Sequence, residues 1–232
     1  GQAIINNGIN YQFGKECFIS VLKPNISDLE KLGQKWKRDL KKSKYSFVFS
    51  EDKLFDDAFE YYCRCMPIDG NGYNENICSE NYCTEEKTIQ EIAGKTTKMD
   101  NSITNRSSIS VIIRYRNNKL LFLADNIAAD VIKYLGQEDM FFSLVKLPHH
   151  GSRRNISREL IRKLNTDRFI ISTNKKIEKI VLRRFIEERE ETEILCNYTW
   201  WKNGYFTEND IKEIIDTGKL SMRDIGEEKV VL

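Results

Sequence analysis

The chain has 232 residues, with 37 Lys and Arg against 35 Asp and Glu, and its formal net charge is +2. This length is enough to bury the core of one domain or a little more, and the nearly balanced charge gives no overall indication of a nucleic-acid or membrane partner. The sequence shows neither a secretory leader pattern nor a long apolar run, so we expect a cytoplasmic protein that does not enter the membrane.

The first 23 residues alternate apolar and polar side chains, which is the pattern of short strands. Turn signals at Asn7-Gly8 and Gly14 separate them. The predicted strands are Ile4-Ile5, Ile9 to Phe13 and Cys17 to Leu22.

A helix is predicted from Ser27 to about Lys42, because Ser27 and Glu30 have the spacing of a capping box. Its end forms a basic patch with two aromatic residues, made of Lys35, Trp36, Lys37, Arg38, Lys41, Lys42, Lys44 and Tyr45. Such a patch could track a phosphate backbone, or it could be a solvated helix end whose cations favour the helix dipole. Beyond it, a strand is predicted over Tyr45 to Phe49 and a helix over Asp52 to about Tyr62.

Four of the six cysteines lie close together, at Cys63, Cys65, Cys78 and Cys83. A Cys-x-Cys pair followed by Cys-x4-Cys is not a common zinc-ligand spacing. Structural zinc, reduced thiols and disulfides all remain open here, reduced thiols being the simplest state in the cytosol. A helix is expected over Glu85 to Ala93.

Residues 99 to 125 predict a polar turn followed by a hairpin. Asn101, Asn105 and Ser108 lead into a strand over Ile109 to Tyr115. The pair Asn117-Asn118 predicts a two-residue link to the next strand, Lys119 to Leu123, which ends at Ala124-Asp125.

The only two histidines in the chain are adjacent, in the segment Pro148-His149-His150-Gly151-Ser152. A predicted helix over Ile127 to Leu135 and a strand over Phe141 to Leu147 lie between them and Asp125. Strand, helix and strand in this order predict a parallel crossover, which places the ends of both strands at one edge of the sheet. A carboxylate and imidazoles at that edge suit zinc, iron or manganese, although a surface turn that simply contains two histidines is the plainer interpretation.

The remaining sequence repeats the strand–helix order, which indicates a layered α/β architecture. The predicted elements are helix Ser157 to Leu164, strand Arg168 to Thr173, helix Ile177 to Glu190, strand Glu193 to Asn197, a hairpin from Trp200 to Phe206 and a helix over Asn209 to Asp216. Arg153 and Arg154 could bind a phosphate at the start of the first of these helices, or they could be ordinary exposed charges. The paired tryptophans Trp200 and Trp201 could stack on bases or pack at an edge of the domain.

The order of these segments resembles the second half of a metallo-β-lactamase-fold hydrolase. The residues that carry the resemblance are Asn105-Arg-Ser-Ser108, Leu121-Phe-Leu-Ala-Asp125 and Pro148-His-His-Gly-Ser152. The closest similarity is to the soluble hydrolase domain of bacterial DNA-uptake channel proteins. It extends over roughly residues 1 to 200, and its specific part covers residues 101 to 173.

The resemblance implies a four-layer αβ/βα sandwich, of which this chain holds the C-terminal half to two-thirds as a single domain over residues 1–232. Residues 51–98 then form a cysteine-containing helical insertion. The family's metal-bridging aspartate matches Asp125, and its histidine ligand matches His150, with His149 as the second choice. Two zinc ions, or manganese or iron, would be expected in a complete site. In the family the β-hairpin lies beside the metal site, so Asn105 could approach the substrate, although capping of its own turn is the simpler interpretation. Ser152, Arg153 and Arg154 are the other predicted substrate contacts.

Three departures from the family pattern affect the predicted chemistry. The His-x-His-x-Asp-His signature that supplies most metal ligands is absent, because no further histidine exists. Ala124 replaces the usual glycine before the aspartate, and Asn174-Lys-Lys stands where a His-Pro pair often follows a strand. One aspartate and two histidines are too few for a dinuclear site.

Two functions are therefore carried forward. The first is a metal-dependent phosphodiester hydrolase, nuclease-like, whose site is completed by an N-terminal half of the same fold, either cleaved off or separately encoded. Asp125 and His150 would be its catalytic and metal-binding residues, and nucleic acid would be a possible substrate. The second is a degenerate, metal-free relative that acts as a binding or regulatory module.

Overall fold

A computed structural model of the chain describes residues 4–42, 87–92, 97–135, 141–202 and 204–226. In these residues, an α/β fold is built on one mixed sheet whose eight strands are arranged in sequence order. The strands are β1 Asn10–Phe13, β2 Cys17–Lys23, β3 Ser110–Tyr115, β4 Asn118–Phe122, β5 Leu144–Lys146, β6 Arg168–Ile171, β7 Glu193–Cys196 and β8 Ser221–Asp224.

The helices between these strands correspond to most of those predicted. They are α1 Ile26–Lys42, α2 Ile103–Arg106, α3 Ala128–Leu135, α4 Arg158–Lys163, α5 Lys179–Glu188 and the short α6 Glu208–Asp210, which continues into a π-helical turn at Ile211–Ile215. A single 3₁₀ turn at His149–Gly151, called the histidine turn below, follows β5.

Strands β1 to β4 form the antiparallel part of the sheet. The predicted β3–β4 hairpin is present, but Tyr115 pairs with Asn118, so the link is Arg116-Asn117 and begins one residue earlier than expected. Arg116 has φ of 53°, the left-handed conformation that a tight hairpin link requires. Ile4-Ile5 lies outside the strands, contrary to the prediction.

Strands β4 to β8 form the parallel part of the sheet. The predicted crossover from β4 through α3 to β5 is confirmed, and it is followed by two more of the same kind through α4 and α5. Strand β8 was not predicted. It pairs with β7, and it lies beyond the segment Trp200 to Phe206 where a hairpin was expected. Within that segment, the ring of Trp200 packs edge-on against the ring of Tyr205, with the centroids 5.1 Å apart.

The hydrophobic core lies between the sheet and helices α3 to α5. Neighbouring strands align an apolar row across the sheet, made of Leu121, Val145, Phe169 and Ile194, all with no exposed surface. They belong to one buried cluster with Val131, Leu160, Val181 and Phe185 of the helices. Each such side chain contributes about 1.5–3 kcal/mol when fully buried, so this face accounts for much of the stability.

The opposite face of the antiparallel strands is also apolar, yet it is not buried. Register places Tyr11, Ile19, Ile113 and Leu120 in one row, with further apolar side chains beside them. We call this surface the open face, made of Tyr11, Phe13, Ile19, Val111, Ile113, Tyr115, Leu120 and Phe122. Every one is partly or largely exposed, up to 59% for Phe13.

Two local predictions were wrong in detail. The reciprocal cap of α1 uses Asn25 and Asp28, since Asn25 Oδ1 accepts from the Asp28 amide at 2.9 Å and Asp28 Oδ2 accepts from the Asn25 amide at 3.0 Å. Ser27, the predicted cap, donates to Asn25 Oδ1 instead. Residues 87–92 form turns where a helix over Glu85 to Ala93 was expected.

A buried ion pair fixes the segment 87–92 against the C-terminal part of the chain. Lys179 Nζ lies 3.0 Å from Asp210 Oδ2 and donates to the Lys87 carbonyl at 2.9 Å. Asp210 Oδ1 accepts from the Ile89 amide at 2.7 Å. Burial alone would raise the pKa of Asp210, but these hydrogen bonds and those of Thr207 outweigh it and lower the pKa.

Several predictions fall on residues outside the described part: the strand over Tyr45 to Phe49, the helix from Asp52 and the cysteine cluster at residues 63–83. The proposed insertion at residues 51–98 is described only at 87–92, 97 and 98. Within the described ranges, no helix combines the length and the apolar character needed to cross a membrane.

Candidate functional site

The ends of β4 and β5 meet at the carboxyl edge of the parallel sheet. The Leu123 amide donates to the Lys146 carbonyl at 3.3 Å, and the His149 amide donates to the Ala124 carbonyl at 2.8 Å. The histidine turn is therefore attached by its backbone to the residue that precedes Asp125. This is the juxtaposition that the predicted crossover requires.

Both chain segments at this junction have left-handed backbone conformations. The φ angles are 47° at Ala124, 46° at His149 and 55° at His150, followed by 86° at Gly151. A left-handed conformation costs a residue with a Cβ atom about 1–2 kcal/mol, and such costs concentrate at functional sites. Gly151 has a second constraint, because a Cβ there would lie 3.2 Å from the side chains of Ile171 and Ile177.

Asp125 is held by its backbone while its carboxylate remains free. Its amide donates to Ser108 Oγ at 3.1 Å, and its carbonyl accepts from Asn155 Nδ2 at 3.3 Å. The side chain is half-buried and has no hydrogen bond or ion pair with any residue in the described part of the chain. Burial lowers the pKa of Lys146, and the negative charge of Asp125 offsets part of that effect, so the two groups interact electrostatically.

The ring of His149 is oriented by Asn105. Asn105 Nδ2 donates to Asp100 Oδ2 at 2.6 Å and lies 3.2 Å from His149 Nδ1. Because an amide nitrogen only donates, His149 Nδ1 is the acceptor, and the neutral ring carries its proton on Nε2. His149 therefore presents a hydrogen-bond donor at its outer nitrogen.

His150 has the opposite tautomer. Its Nδ1 lies 2.6 Å from the carbonyl oxygen of Ser172, which only accepts, so Nδ1 carries the proton. The outer nitrogen Nε2 then presents a lone pair, the arrangement that carbonyl-bound histidines use to bind metals. The two rings lie 6.3 Å apart between centroids. The neighbouring imidazoles thus differ in what they offer a ligand: a donor at His149 and an electron pair at His150.

Asp100 and Asn155 organise this site, and sequence reasoning missed both. Asp100 accepts from the Ser102 amide at 2.9 Å and from Asn155 Nδ2 at 3.2 Å, besides Asn105. Burial alone would raise the pKa of Asp100, but these hydrogen bonds outweigh it and lower the pKa. The fully buried Asn155 also lies 3.3 Å from the Asn126 carbonyl. An aspartate two residues before a serine was the available signal for Asp100, since this spacing is typical of an Asx turn.

The side chains that follow the histidine turn differ in whether they already have partners within the protein. Ser152 Oγ accepts from the Arg154 amide at 3.3 Å, and Arg153 Nη1 pairs with Glu178 at 2.6 Å. Arg154 is exposed, and its guanidinium has no partner in the described ranges. Arg184 lies beneath the loop and donates to the Arg153 carbonyl at 2.6 Å and to the Ile156 carbonyl. Arg154 is therefore the better placed of the two predicted cations to meet a ligand.

Of the other predicted contact regions, the basic patch is only partly described. Lys35 is engaged with Asp39 at 2.8 Å, whereas Lys44 and Tyr45 lie outside the described residues. Trp200 is 7% exposed and belongs to the core, as the packing interpretation predicted, with Trp201 partly buried against it.

The donors present fall short of a complete metal site. Asp125 and His150 together would provide only two ligands, whereas catalytic zinc needs three from protein. In the ranges that the structure covers, no group of three or more His, Cys, Asp or Glu side chains could hold a metal ion. Comparison with protein-family models, with curated proteins and with solved structures finds no match for this chain.

Proposed function

We propose that the chain is the C-terminal part of a metallo-β-lactamase-fold hydrolase that cleaves phosphodiester bonds, completed by an N-terminal half of the same fold. The observation that supports this proposal is that the carboxylate of Asp125 and the Nε2 atom of His150 belong to the same sheet edge and neither has a partner among the described residues. This half-buried carboxylate has lost part of its solvation and has no hydrogen bond or ion pair among the described residues to offset that loss, which is accounted for if it binds a ligand.

The open face supports the second half of the proposal. Exposed apolar patches of this kind mark surfaces that another element covers. Two sheets pack face to face about 10 Å apart, with interdigitated apolar side chains, and the open face offers such a row on β1 to β4. A sheet from the N-terminal half would cover it and complete the proposed four-layer sandwich.

Within the completed site, Asp125 and His150 would hold zinc, or manganese or iron, with the remaining ligands supplied by the other half. A bound metal ion of this kind lowers the pKa of water and polarises a phosphoryl oxygen. His149 would donate its Nε2 proton in a hydrogen bond to a substrate oxygen, with Asn105 and Asp100 fixing the ring. Arg154 would attract the phosphate from the rim, and Ser152 would hold the loop that carries it.

A second candidate function is a metal-free binding or regulatory module. It is favoured by one observation, the shortage of ligands around Asp125 in the described residues. In that case the polar site would bind an anion or a polypeptide through His149 and Arg154 without chemistry, and the open face would still receive a partner.

Metal content separates the two. The protein would be purified natively, without a metal-binding tag, and its metal measured by elemental mass spectrometry together with any companion chain. The hydrolase proposal expects about two ions per chain, as in two-metal hydrolases. It also expects that His150→Ala and Asp125→Ala lower this number, whereas Asp216→Ala, an exposed carboxyl far along the chain, does not.

Two results would contradict the hydrolase. One is a folded complex with its companion that holds no metal after reconstitution with zinc or manganese. The other is a metal ion whose amount is unchanged in both His150→Ala and Asp125→Ala, since such an ion would be bound elsewhere.

A further inference from the structure

A polar cavity of about 670 Å³ lies beside β1 to β3, on the side of the sheet that carries α3. Ser20, Ile112 and Arg114 line it from the strands, and helices α1 and α3 close its sides. Its volume is in the range of roughly 300–1,000 Å³ that small-molecule sites occupy. Helix α2 contributes one residue to the candidate site and the next residue to this cavity: Asn105 contacts His149, whereas Arg106 lines the cavity.

The lining of this cavity is strongly basic. Two carboxylates, Asp28 and Asp130, face five cationic side chains, which are Lys23, Lys31, Arg106, Arg114 and Lys133. The lining thus carries a net charge of +3, more than the +2 of the entire chain. Clefts with one dominant sign of charge concentrate ligands of the opposite sign.

Both carboxylates are already engaged by two of the cations. Lys23 Nζ lies 2.7 Å from Asp28 Oδ2 and 3.2 Å from Asp130 Oδ2. Arg106 Nε lies 3.2 Å from the same Asp130 oxygen. This network joins β2, α1, α2 and α3, so it forms a fixed wall of the cavity.

Three cations of the lining have no counter-charge in the part of the chain that the structure describes. Arg114 is half-buried, and its one hydrogen bond within the described ranges is to the neutral hydroxyl of Ser20, at 2.9 Å. Lys31 and Lys133 have neither an ion pair nor a hydrogen bond with any described residue. A half-buried guanidinium that uses one of its five N–H donors among the described residues is suited to a phosphate, whose oxygens match its fork geometry.

The neutral lining indicates what the anion is attached to. Tyr134 is 41% exposed and lines the cavity together with Asn6, Asn10 and Asn25. The amide oxygens of these asparagines already accept hydrogen bonds within the protein, so among the described residues the amide nitrogens of Asn10 and Asn25 are the donors left for a ligand. Aromatic rings stack on nucleobases, and amides hydrogen-bond sugar hydroxyls. We propose that this cavity binds a nucleoside phosphate, with Arg114, Lys31 and Lys133 around the phosphates and Tyr134 against the base.

This site is independent of Asp125 and His150, so it does not rest on the hydrolase proposal. Binding would be measured by isothermal titration calorimetry in EDTA at low salt, with adenosine diphosphate, pyrophosphate and adenosine as probes. We expect saturable binding of adenosine diphosphate, weaker binding of pyrophosphate and none of adenosine. Asp125→Asn should leave all three unchanged.

Variants assign the contacts. Loss of one charge-assisted hydrogen bond weakens binding by about tenfold or more, which is the effect expected for Arg114→Gln. Lys133→Gln, on an exposed helix position that tolerates substitution, should weaken it several-fold. Tyr134→Ala should weaken the binding of adenosine diphosphate and leave the binding of pyrophosphate unchanged. Lys212→Gln removes an equivalent exposed charge elsewhere and should have no effect.

Three outcomes would overturn the proposal. The first is no saturable binding of adenosine diphosphate by the wild-type protein. The second is wild-type affinity in both Arg114→Gln and Lys133→Gln, or an equal loss in Lys212→Gln, which would show general charge attraction. The third is an Arg114-dependent site that prefers a short single-stranded oligonucleotide to adenosine diphosphate, which would assign the cavity to a nucleic-acid strand.

Discussion

The helix side of the parallel strands and the open face of the antiparallel strands are buried to very different extents. In the parallel part, successive strands are connected by α3, α4 and α5, and the row from Leu121 to Ile194 is fully enclosed. In the antiparallel part, the hairpins β1–β2 and β3–β4 have short links, and the open face keeps Tyr11 at 38% and Phe13 at 59% exposure.

The difference follows from how each kind of strand is connected. A parallel pair needs a crossover, and the crossover helix covers the sheet. An antiparallel pair needs only a turn, so its second face is covered only if some other element supplies the cover. The open face of the antiparallel part is thus the place where a partner has most to gain. Three pairs of substitutions test this contrast.

The largest effect is expected from Lys179→Met, in the parallel part. It leaves Asp210 as a buried charge without its counter-ion, and breaking a buried ion pair costs about 3–5 kcal/mol. Urea denaturation followed by circular dichroism would measure this free energy of unfolding. The control is Lys202→Met, which removes an exposed cation 3.5 Å from Asp224 and should cost less than about 1 kcal/mol. A similar cost for both variants would show that the Lys179 pair is not structurally important.

An intermediate effect, and the most direct test of the contrast, uses two neighbours on β4. Leu121 is fully buried on the helix side, whereas Leu120 belongs to the open face. Leu121→Ala should lower the free energy of unfolding by about 2–5 kcal/mol, and Leu120→Ala by clearly less. If the two costs are equal in the isolated chain, the open face is already covered and the contrast fails. If a companion half is added, only Leu120→Ala should weaken its binding.

The smallest effect is expected at the boundary between the two parts, where Ala124 has φ of 47°. Glycine adopts this conformation without a Cβ clash, although it loses more entropy on folding. Ala124→Gly should therefore stabilise the protein by up to about 1 kcal/mol. Ala129→Gly, at an exposed position of α3, is the control and should destabilise by roughly the same amount. Thermal unfolding of both variants shows whether each substitution raises or lowers the stability. A loss of stability in Ala124→Gly would refute this account of the junction.

Sequence periodicity was sufficient for most of the fold, because the strands of the parallel part are short apolar runs separated by amphipathic helices. The crossover from β4 to β5 could be predicted in this way, and with it the approach of the histidine turn to Asp125. Strand β8, with the sequence Ser221-Met-Arg-Asp224, could not. It is a polar edge strand, and only its pairing with β7 distinguishes it from a loop.

The sequence was sufficient to predict which side chains could bind a ligand at this site, but not how those side chains are oriented. Asp125 and His150 stand out by residue type and by position at strand ends. The tautomers of His149 and His150 depend on Asn105 and on the Ser172 carbonyl, contacts between residues far apart in sequence. Asn155 gave no local signal at all, because its role arises from a buried position that only the folded chain creates.

The contact of Asp210 with the Ile89 amide joins residues that are 121 positions apart in the chain. Contacts of such high sequence separation form late, since a long loop must close before they contribute. The segment 87–92 therefore reaches its place only after the sheet has assembled as far as the residues that follow β7. During synthesis it would leave the ribosome well before Asp210, and it would lack this hydrogen-bond partner until the residues that follow β7 had been made.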